Sequence, residues 1–484
     1  MNTMKRDIQL DATYLDLDSR LYSKTIPDRV ENPEVVIFNE SLAQQLGLDF
    51  NDDKIDIAQI FSGNEIIEKT TPFSQSYSGH QFGYFTRLGD GRAIILGELP
   101  HNEKRYDIQL KGSGRTPYSR NGDGKATLYS MLREYLISEA MYHLGIPTTR
   151  SLTVVATDEK IIREEIQRGA ILTRIAESHI RIGTFEHVAV LKDIGLLKDF
   201  TDYTIQRHYP DLVYTGDRYV KFFKKVCDSQ IALILQWLRV GFIHGVMNTD
   251  NVSISGETID YGPCAFLNTY DPLKKYSSID HHGRYAFMRQ PDIILWNLAR
   301  LAETLIPLIG NNEEKVAAQL TEILEEKNKQ SIQQYKQMLC NKIGLDKAGT
   351  KEVELAYTLL KIMKEVKLDY TNTFNHLKNA LLKDNKDLLK SKKLQEWCHQ
   401  WKQFIIDSNI NSESVVNLMS HTNPVVIPRN HNVEKALTSA AKGDMSYFTR
   451  LLEALKIPYE ENPEFQEFKA PPEDESGYET FCGT

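Results

Sequence analysis

The stretch HGVMNTDNVSISGETIDYG, residues 244–262, decides how the rest of the chain is read. It opens on His244, places Asp250 and Asn251 in its middle and ends on Asp260-Tyr261-Gly262. NVSISG and ETID read as two short strands around Ser255-Gly256, a hairpin that brings Asn251 and Asp260 to one mouth. An amide oxygen and a carboxylate there, completed by phosphate oxygens and waters, make an ordinary magnesium shell. Asn251 and Asp260 are therefore the candidate metal ligands.

Working outward, RYDIQLKGSG (105–114) alternates as a strand, with Tyr106, Ile108 and Leu110 on one face and Asp107, Gln109 and Lys111 on the other. ATLYSMLREYLISEAMYHLG (126–145) has Leu128, Leu132, Tyr135, Leu136, Ala140, Met141 and Leu144 at helical spacing, and Gly145 and Pro147 stop it. Lys111 thus ends a strand on its polar face and Glu134 lies on the following helix. GYFTRLGDGRAIILGELP (83–100) reads as two strands around a tight Asp90-Gly91 turn. The Gly89-Asp90-Gly91-Arg92 turn is a place where backbone can approach phosphates closely. SLTVVAT (151–157) and GAILTRIA (169–176) are further strands. A glycine turn, strand lysine, helix glutamate, His…Asn loop and Asp-aromatic-Gly, in that order, follow the pattern of kinase-like nucleotide sites. One position departs from it. Two residues after His244 stands Val246, where the catalytic base of a kinase is an Asp. Either Asp250 does that work from another angle, or the chain binds nucleotide without transferring a phosphoryl group.

The rest of the chain sets the frame. KFFKKVCDSQIALILQWLRVGF (221–242) is an amphipathic helix, and residues 292–405 keep helical spacing with many Lys and Glu. Charged runs such as LLKDNKDLLKSKK (381–393) read as solvated helix faces. The fold class expected is α+β: a protein-kinase-like two-lobed fold, strand-rich then helix-rich, with helical additions. The expected divisions are an N-terminal extension packing on the body (1–75), a nucleotide-binding lobe (76–190), a helical lobe (191–458) with its metal loop at 244–264, and an irregular acidic tail (459–484).

Composition excludes several function classes. The 484 residues are 41% hydrophobic and 26% charged, enough for a sizeable core. Lys and Arg number 58 against 66 Asp and Glu, a net charge of −8, which argues against a nucleic-acid partner. The five cysteines, Cys227, Cys264, Cys340, Cys398 and Cys482, form no CxxC pair, so neither a disulfide framework nor a structural zinc site is expected. No apolar run approaches the roughly 20 residues that cross a bilayer, and MNTMKRDIQLDATYLDLDSRLY lacks the apolar core of a signal peptide. A cytoplasmic monomer, bound to neither membrane nor nucleic acid, is the expectation.

Longer stretches carry a family resemblance. YSGHQFG (77–83), LGDGRAIILGE (88–98), DIQLKGSGRTPYSRNGDGKA (107–126), LREYLISEAMYHLGIPTTRSL (132–152), LTRIAESHIRIGTFE (172–186), GFIHGVMNTDNVSISGETIDYGPCAFLNTYDP (241–272), SSIDHHGRYAFMRQP (277–291) and NPVVIPRNH (423–431) resemble the selenoprotein O family, protein adenylyltransferases on a pseudokinase fold. The resemblance implies an ATP bound in reverse of the kinase orientation, with AMP transferred to Ser, Thr or Tyr of protein substrates and pyrophosphate released. It implies Gly89, Gly91, Arg92, Lys111, Asp123, Gly124, Arg174 and Arg181 as nucleotide-site residues. It also implies Asp250 as general base, Asn251 and Asp260 as ligands of Mg2+ or Mn2+, and Glu134 as the partner of Lys111. Arginine forks suit phosphate oxygens, which fits the cationic set. Two other readings stay open: γ-phosphoryl transfer to a protein or small molecule, and a silent nucleotide-binding scaffold. Family members place a selenocysteine or cysteine near the C-terminus, as Cys482 is here, and Cys264 follows the metal loop, so a reversible Cys264–Cys482 disulfide pinning the tail is a further expectation. His281 and His282, being adjacent, read as loop or substrate-side residues and not as metal ligands.

Overall fold

Alternating polar and apolar residues from Phe73 to Ala176 fold as one antiparallel sheet, joined at its ends by two shorter strands from upstream. The computed structural model describes residues 8–48, 50, 54–163, 165–383 and 391–481. The strands are β1 (Tyr22–Lys24), β2 (Glu34–Phe38), β3 (Phe73–Gln81), β4 (Tyr84–Gly89), β5 (Ala93–His101), β6 (Lys104–Lys111), β7 (Arg150–Ile162) and β8 (Ile166–Ala176). Their order is β1-β3-β5-β6-β8-β7-β2, with β4 paired to β3. The N-terminal stretch therefore does more than pack on the sheet: it supplies both end strands, β1 and β2.

Both faces of the sheet are covered. Ile108 and Leu110 of β6, with Ile171 and Ile175 of β8, pack on one side against Leu42 of α1 (Glu40–Gln45) and Phe61 of α2 (Lys54–Phe61). On the other side lies α3 (Leu128–His143), capped at its start by the Thr127 hydroxyl and stopped before Gly145, whose φ of +74° suits glycine. Leu132 and Leu136 of α3 are fully buried there, each contributing roughly 2 kcal/mol. Burial on both faces means that the polar residues of β6 cannot face water. Asp107, Gln109 and Lys111 are all buried and must find partners inside.

Two local readings are corrected. The strands flanking Asp90-Gly91 form but do not pair with one another: β4 pairs with β3, and β5 pairs with β6. The reason is Asp90 itself. Its carboxylate accepts from the Gln75 amide at 3.1 Å and its own amide donates to the Gln75 carbonyl at 2.9 Å, so the chain stays tied to β3 through the turn. The expected hairpin of NVSISG and ETID is absent as well. Ser253 bridges to Arg181 and Thr258 bridges to Thr148, so neighbouring segments hold this loop, not its own two halves.

Beyond the sheet the chain is helical. It runs through α4 (Ile182–Val190), α5 (Ile194–His208) and α6 (Arg218–Val240), then a two-stranded ribbon of β9 (Phe242–Ile243) and β10 (Ala265–Phe266). Then follow α7 (Gln290–Ile309), α8 (Glu313–Lys342), α9 (Thr350–Glu365), α10 (Tyr370–Lys383), α11 (Lys392–Asp407), α12 (Ser412–Thr422), α13 (Asn430–Ala441) and α14 (Ser446–Lys456). Phe222, Val226, Leu233, Ile234 and Trp237 form the buried stripe of α6, which ends at Gly241 with φ +79°. α13 and α14 return to pack on α3. There Arg133 pairs with Glu434 and donates to the carbonyls of Gly262 and Cys264, fixing the chain just after Asp260. The last segment is not wholly irregular. Pro463–Lys469 forms a 3-10 helix that buries Phe468, and the Thr480 hydroxyl donates to the Pro263 carbonyl at 2.7 Å. No helix among the described residues is long and apolar enough to cross a membrane.

Candidate active site

The β6–β8 register decides what meets at the centre. Gln109 stands opposite Arg174 and Lys111 opposite Leu172, so the polar face of β6 and Arg174 look the same way, towards α3. Glu134 of α3 meets both cations. Lys111 Nζ donates to Glu134 Oε2 at 2.6 Å, and Arg174 Nε donates to Glu134 Oε1 at 3.0 Å. Arg174 Nη1 also reaches Gln109 at 3.2 Å.

Asp260 completes the group. Its Oδ1 accepts from Lys111 Nζ and from Arg174 Nη2, each at 2.6 Å, and its Oδ2 accepts from Arg181 Nη1 at 3.3 Å. Its φ of +65° lies in the left-handed region, uncommon outside glycine though Asp and Asn enter it more readily than other residues, and such conformations collect at functional sites. Burial pushes the Asp260 carboxyl up, but Lys111, Arg174 and Arg181 outweigh it and hold the group well below the usual carboxylate range. Glu134 behaves alike: burial raises it, while Arg174 and Lys111 bring it down. Three cations thus face two firmly ionised carboxylates.

Arg181 links this cluster to Asp250. It sits immediately before α4 and its Nη1 donates to the main-chain oxygen of Asp250 at 2.7 Å. Its guanidinium lies 4.6 Å from the Tyr77 ring centre and 3.7 Å from Asp90. Asp250 differs from Asp260 in kind. Burial pushes its carboxyl up to about 6 despite Arg181, and its Oδ1 is buried with no hydrogen-bond partner among the described residues. Burial likewise raises Asp90 to about 6. A carboxylate that ionises near neutrality suits a proton acceptor, though its Oδ1 is itself sealed against Gly79.

The surroundings of Asp250 are built around glycine and one hydroxyl. A side chain on Gly79 would meet Asp250 Oδ1 at 2.3 Å, and one on Gly183 would meet the Ser78 carbonyl at 2.0 Å. Only glycines allow β3, α4 and the 249–251 turn to approach so closely. Thr249, next in chain to Asp250, donates its hydroxyl proton to Glu186 Oε2 at 2.5 Å and accepts from the His80 amide at 2.7 Å. The His80 ring meets the other oxygen of Glu186 at 2.5 Å.

The remaining site candidates fall into two groups. Asn251 is near the centre; its amide nitrogen is used on the Val246 carbonyl at 2.9 Å, which leaves its oxygen for another partner. The His244 ring accompanies it, bonded to the Ile259 carbonyl at 2.8 Å. Gly89 ends β4 and Gly91 and Arg92 follow it, but Tyr118 takes the space beside both glycines: its ring lies against Gly89 and its carbonyl against Gly91. Asp123 is not in the cluster; it pairs with Arg163 at 2.9 Å. Gly124 packs on the backbone of Gly114. Cys264 is buried, its thiol donates to the Tyr261 carbonyl at 3.3 Å, and burial pushes it up to about 11. Cys482 lies outside the described residues, and with it the expected disulfide. Among the described residues no group of three or more His, Cys, Asp or Glu could hold a metal by protein ligands alone.

Sequence reading left Gly79, His80, Asp90, Glu186 and Thr249 without individual roles. YSGHQFG stood out as a stretch, yet nothing within it signalled that Gly79 faces a carboxylate 171 positions away in the chain (250 − 79).

Comparison with known proteins agrees with the resemblance. The family model described as protein adenylyltransferase SelO matches residues 6–456. The chain is 48% identical over 478 residues to the protein nucleotidyltransferase YdiU of Nitrosococcus oceani, spanning 98% of this chain and 97% of that protein. It is 49% identical over 492 residues to the protein of the same name from Clostridium botulinum strain Alaska E43, spanning 99% and 98%. With that of Pelagibacter ubique it shares 47% over 480 residues, 98% and 99% of the two chains. Similarity of this extent covers every element that builds the Asp260 cluster, and the chain belongs to the protein adenylyltransferase SelO family.

Proposed function

We propose that the protein transfers AMP from ATP to Ser, Thr or Tyr hydroxyls of protein substrates, on a two-lobed kinase-like body. The observation that supports this most is the Asp260 carboxylate gathering three buried cations, Lys111, Arg174 and Arg181, beside the unpartnered Oδ1 of Asp250. Phosphate oxygens compete for these donors on equal chemical terms, because arginine binds carboxylate and phosphate through the same fork. The acceptor hydroxyl oxygen attacks the α-phosphorus, the bond from that phosphorus to the bridging oxygen breaks, and pyrophosphate leaves. Asp250 takes the hydroxyl proton on its carboxylate. Arg181, bonded to the Asp250 main chain and to Asp260 at once, holds the base and the phosphate site in fixed relation. Glu134 holds Lys111 and Arg174 extended across α3.

The donor set fits a hard divalent cation. Asn251 offers an uncommitted amide oxygen and Asp260 a firmly ionised carboxylate, the two-oxygen arrangement that Mg2+ or Mn2+ accepts when phosphates fill its shell. Such an ion neutralises charge that develops on the leaving phosphates. Incubation with ATP labelled on the α- or the γ-phosphate tests the reading. Incorporation of α-label alone is expected; incorporation of γ-label overturns it.

A further inference from the structure

We propose that a groove beside Asp250, read by Arg284, receives the acceptor polypeptide and selects segments with an acidic residue close to the modified hydroxyl. The inference rests on the AMP-transfer reading for its position and on the groove's own chemistry for its selectivity.

The SSIDHHGRYAFMRQP stretch takes no part in the Asp260 cluster. It forms one wall of a cavity of about 650 Å3 whose other wall is the tip of the β3–β4 hairpin. Both walls are fastened to the loop that carries Asp250. The Asn248 oxygen accepts from the Phe82 amide at 3.0 Å and from the Tyr285 hydroxyl at 2.6 Å. A chain lying in this groove therefore rests on walls fastened two positions from the base. Its rim is apolar in a way suited to peptide: Tyr84 is 80% exposed and Ile279 is 44% exposed.

The charge in the groove is uneven. Asp280 is buried and spends its carboxylate on the amides of Arg284 and Tyr285, both at 2.8 Å. Arg289 is turned onto the carbonyls of His282 and Gly283, at 3.2 and 3.1 Å. Asp292 stays exposed in the first turn of α7, where the helix dipole favours it. Arg284 is different. Its guanidinium lies 4.9 Å from the Trp296 ring centre and also meets the Tyr285 side chain, and it forms no ion pair among the described residues. Aromatic stacking holds the charge in place while removing water from one side, so a carboxylate that reaches it is bound more strongly than on open surface. The chain as a whole carries an excess of acids, 66 against 58 Lys and Arg, which disfavours acidic chains over its general surface.

The test uses fluorescent peptides with one central Ser, carrying Glu, Gln or Lys at each position within about four residues of it. Anisotropy measures binding to the full-length protein, and α-labelled ATP measures transfer to the same peptides. At one or more positions Glu is expected to bind about tenfold tighter than Gln, the scale of one charge-assisted hydrogen bond, and to lower KM by a similar factor. R284E is expected to rank Lys above Glu, and R284Q to level the series. Equal binding of Glu and Gln peptides by the unaltered protein overturns the inference, as does a Glu preference that persists in both variants. Acid-selective binding without transfer to any peptide supports the groove and removes the AMP-transfer reading instead.

Discussion

Strand β6 carries two buried ionic clusters on one face, and they are built to different ends. At Asp107 both carboxylate oxygens are satisfied. Oδ1 accepts from Arg207 at 2.6 Å, and Oδ2 accepts from the His179 amide at 2.9 Å and its ring at 3.0 Å. Arg207 adds the Glu177 carbonyl and the Tyr203 hydroxyl. Burial pushes the Asp107 carboxyl up, yet Arg207 and His179 hold it at about 2. Four residues along, at Lys111, the second cluster is left open. The Asp260 side chain is 25% exposed against 3% for Asp107, its backbone is strained, and Asp250 keeps an oxygen unpaired. A closed network of charges holds a fold together; an incomplete one, with carboxyls near 6, is prepared for chemistry.

Mutations can break this contrast, and the largest effect belongs to the closed cluster. Asp107→Ala strands the Arg207 charge in the interior and is expected to cost about 3–5 kcal/mol of stability, read from urea melts, while turnover per folded molecule is kept. A variant as stable as the parent would show that Asp107 is not structural. Asp260→Ala should add a loss of chemistry to a loss of stability. Transfer of α-label per folded molecule is expected to fall about 10²–10³-fold, the scale of losing one electrostatic stabiliser of a transition state, on top of a lowered melt, because Lys111, Arg174 and Arg181 lose a shared carboxylate. Full activity would remove Asp260 from the site. Next in size, Thr249→Val unlinks Glu186 and the His80 amide from the turn before Asp250. A turnover loss of about tenfold, the lower range for a positioned acid–base group, is expected with nucleotide binding unchanged. An equal loss of nucleotide binding would mean that Thr249 supports the fold in general.

The smallest effect concerns pH. Burial pushes the His179 imidazole down to about 4, against Asp107, and its Nε2 is buried without a partner. A depressed pKa in the folded state means that its contribution to stability is complete above the unfolded value of about 6.5. It is lost as pH falls from there towards 4. His179→Gln keeps a donor for Asp107 without the titration, so its melting temperature should decline less over that window. Identical slopes would place the acid sensitivity elsewhere.

Lys111 at a strand end, Glu134 on the next helix and Asp260 after the His244 loop were legible in sequence because each follows from a local period or a short spacing. The pairing of Lys111 with Glu134 spans only 23 positions. What local pattern could not show is how remote segments share space. Asp90 reads as a turn residue, since Asp-Gly is turn chemistry, but its carboxylate is spent on β3 and so prevents the hairpin it advertises. Gly79 lies in YSGHQFG, a stretch with no local period to read, and only the fold brings it against Asp250. Asp123, a nucleotide-site residue by resemblance alone, is bonded by Arg163, 40 positions away, a contact no local pattern shows.

The left-handed backbone at Asp260 also sets which substitutions there can be interpreted. Alanine at φ +65° carries a conformational penalty of roughly 1–2 kcal/mol on top of the lost charge, so its effect mixes two causes. Asparagine adopts that region readily and keeps the shape of the side chain. Asp260→Asn therefore removes the charge without adding that backbone penalty, which makes it the cleaner test of what the charge does at the site.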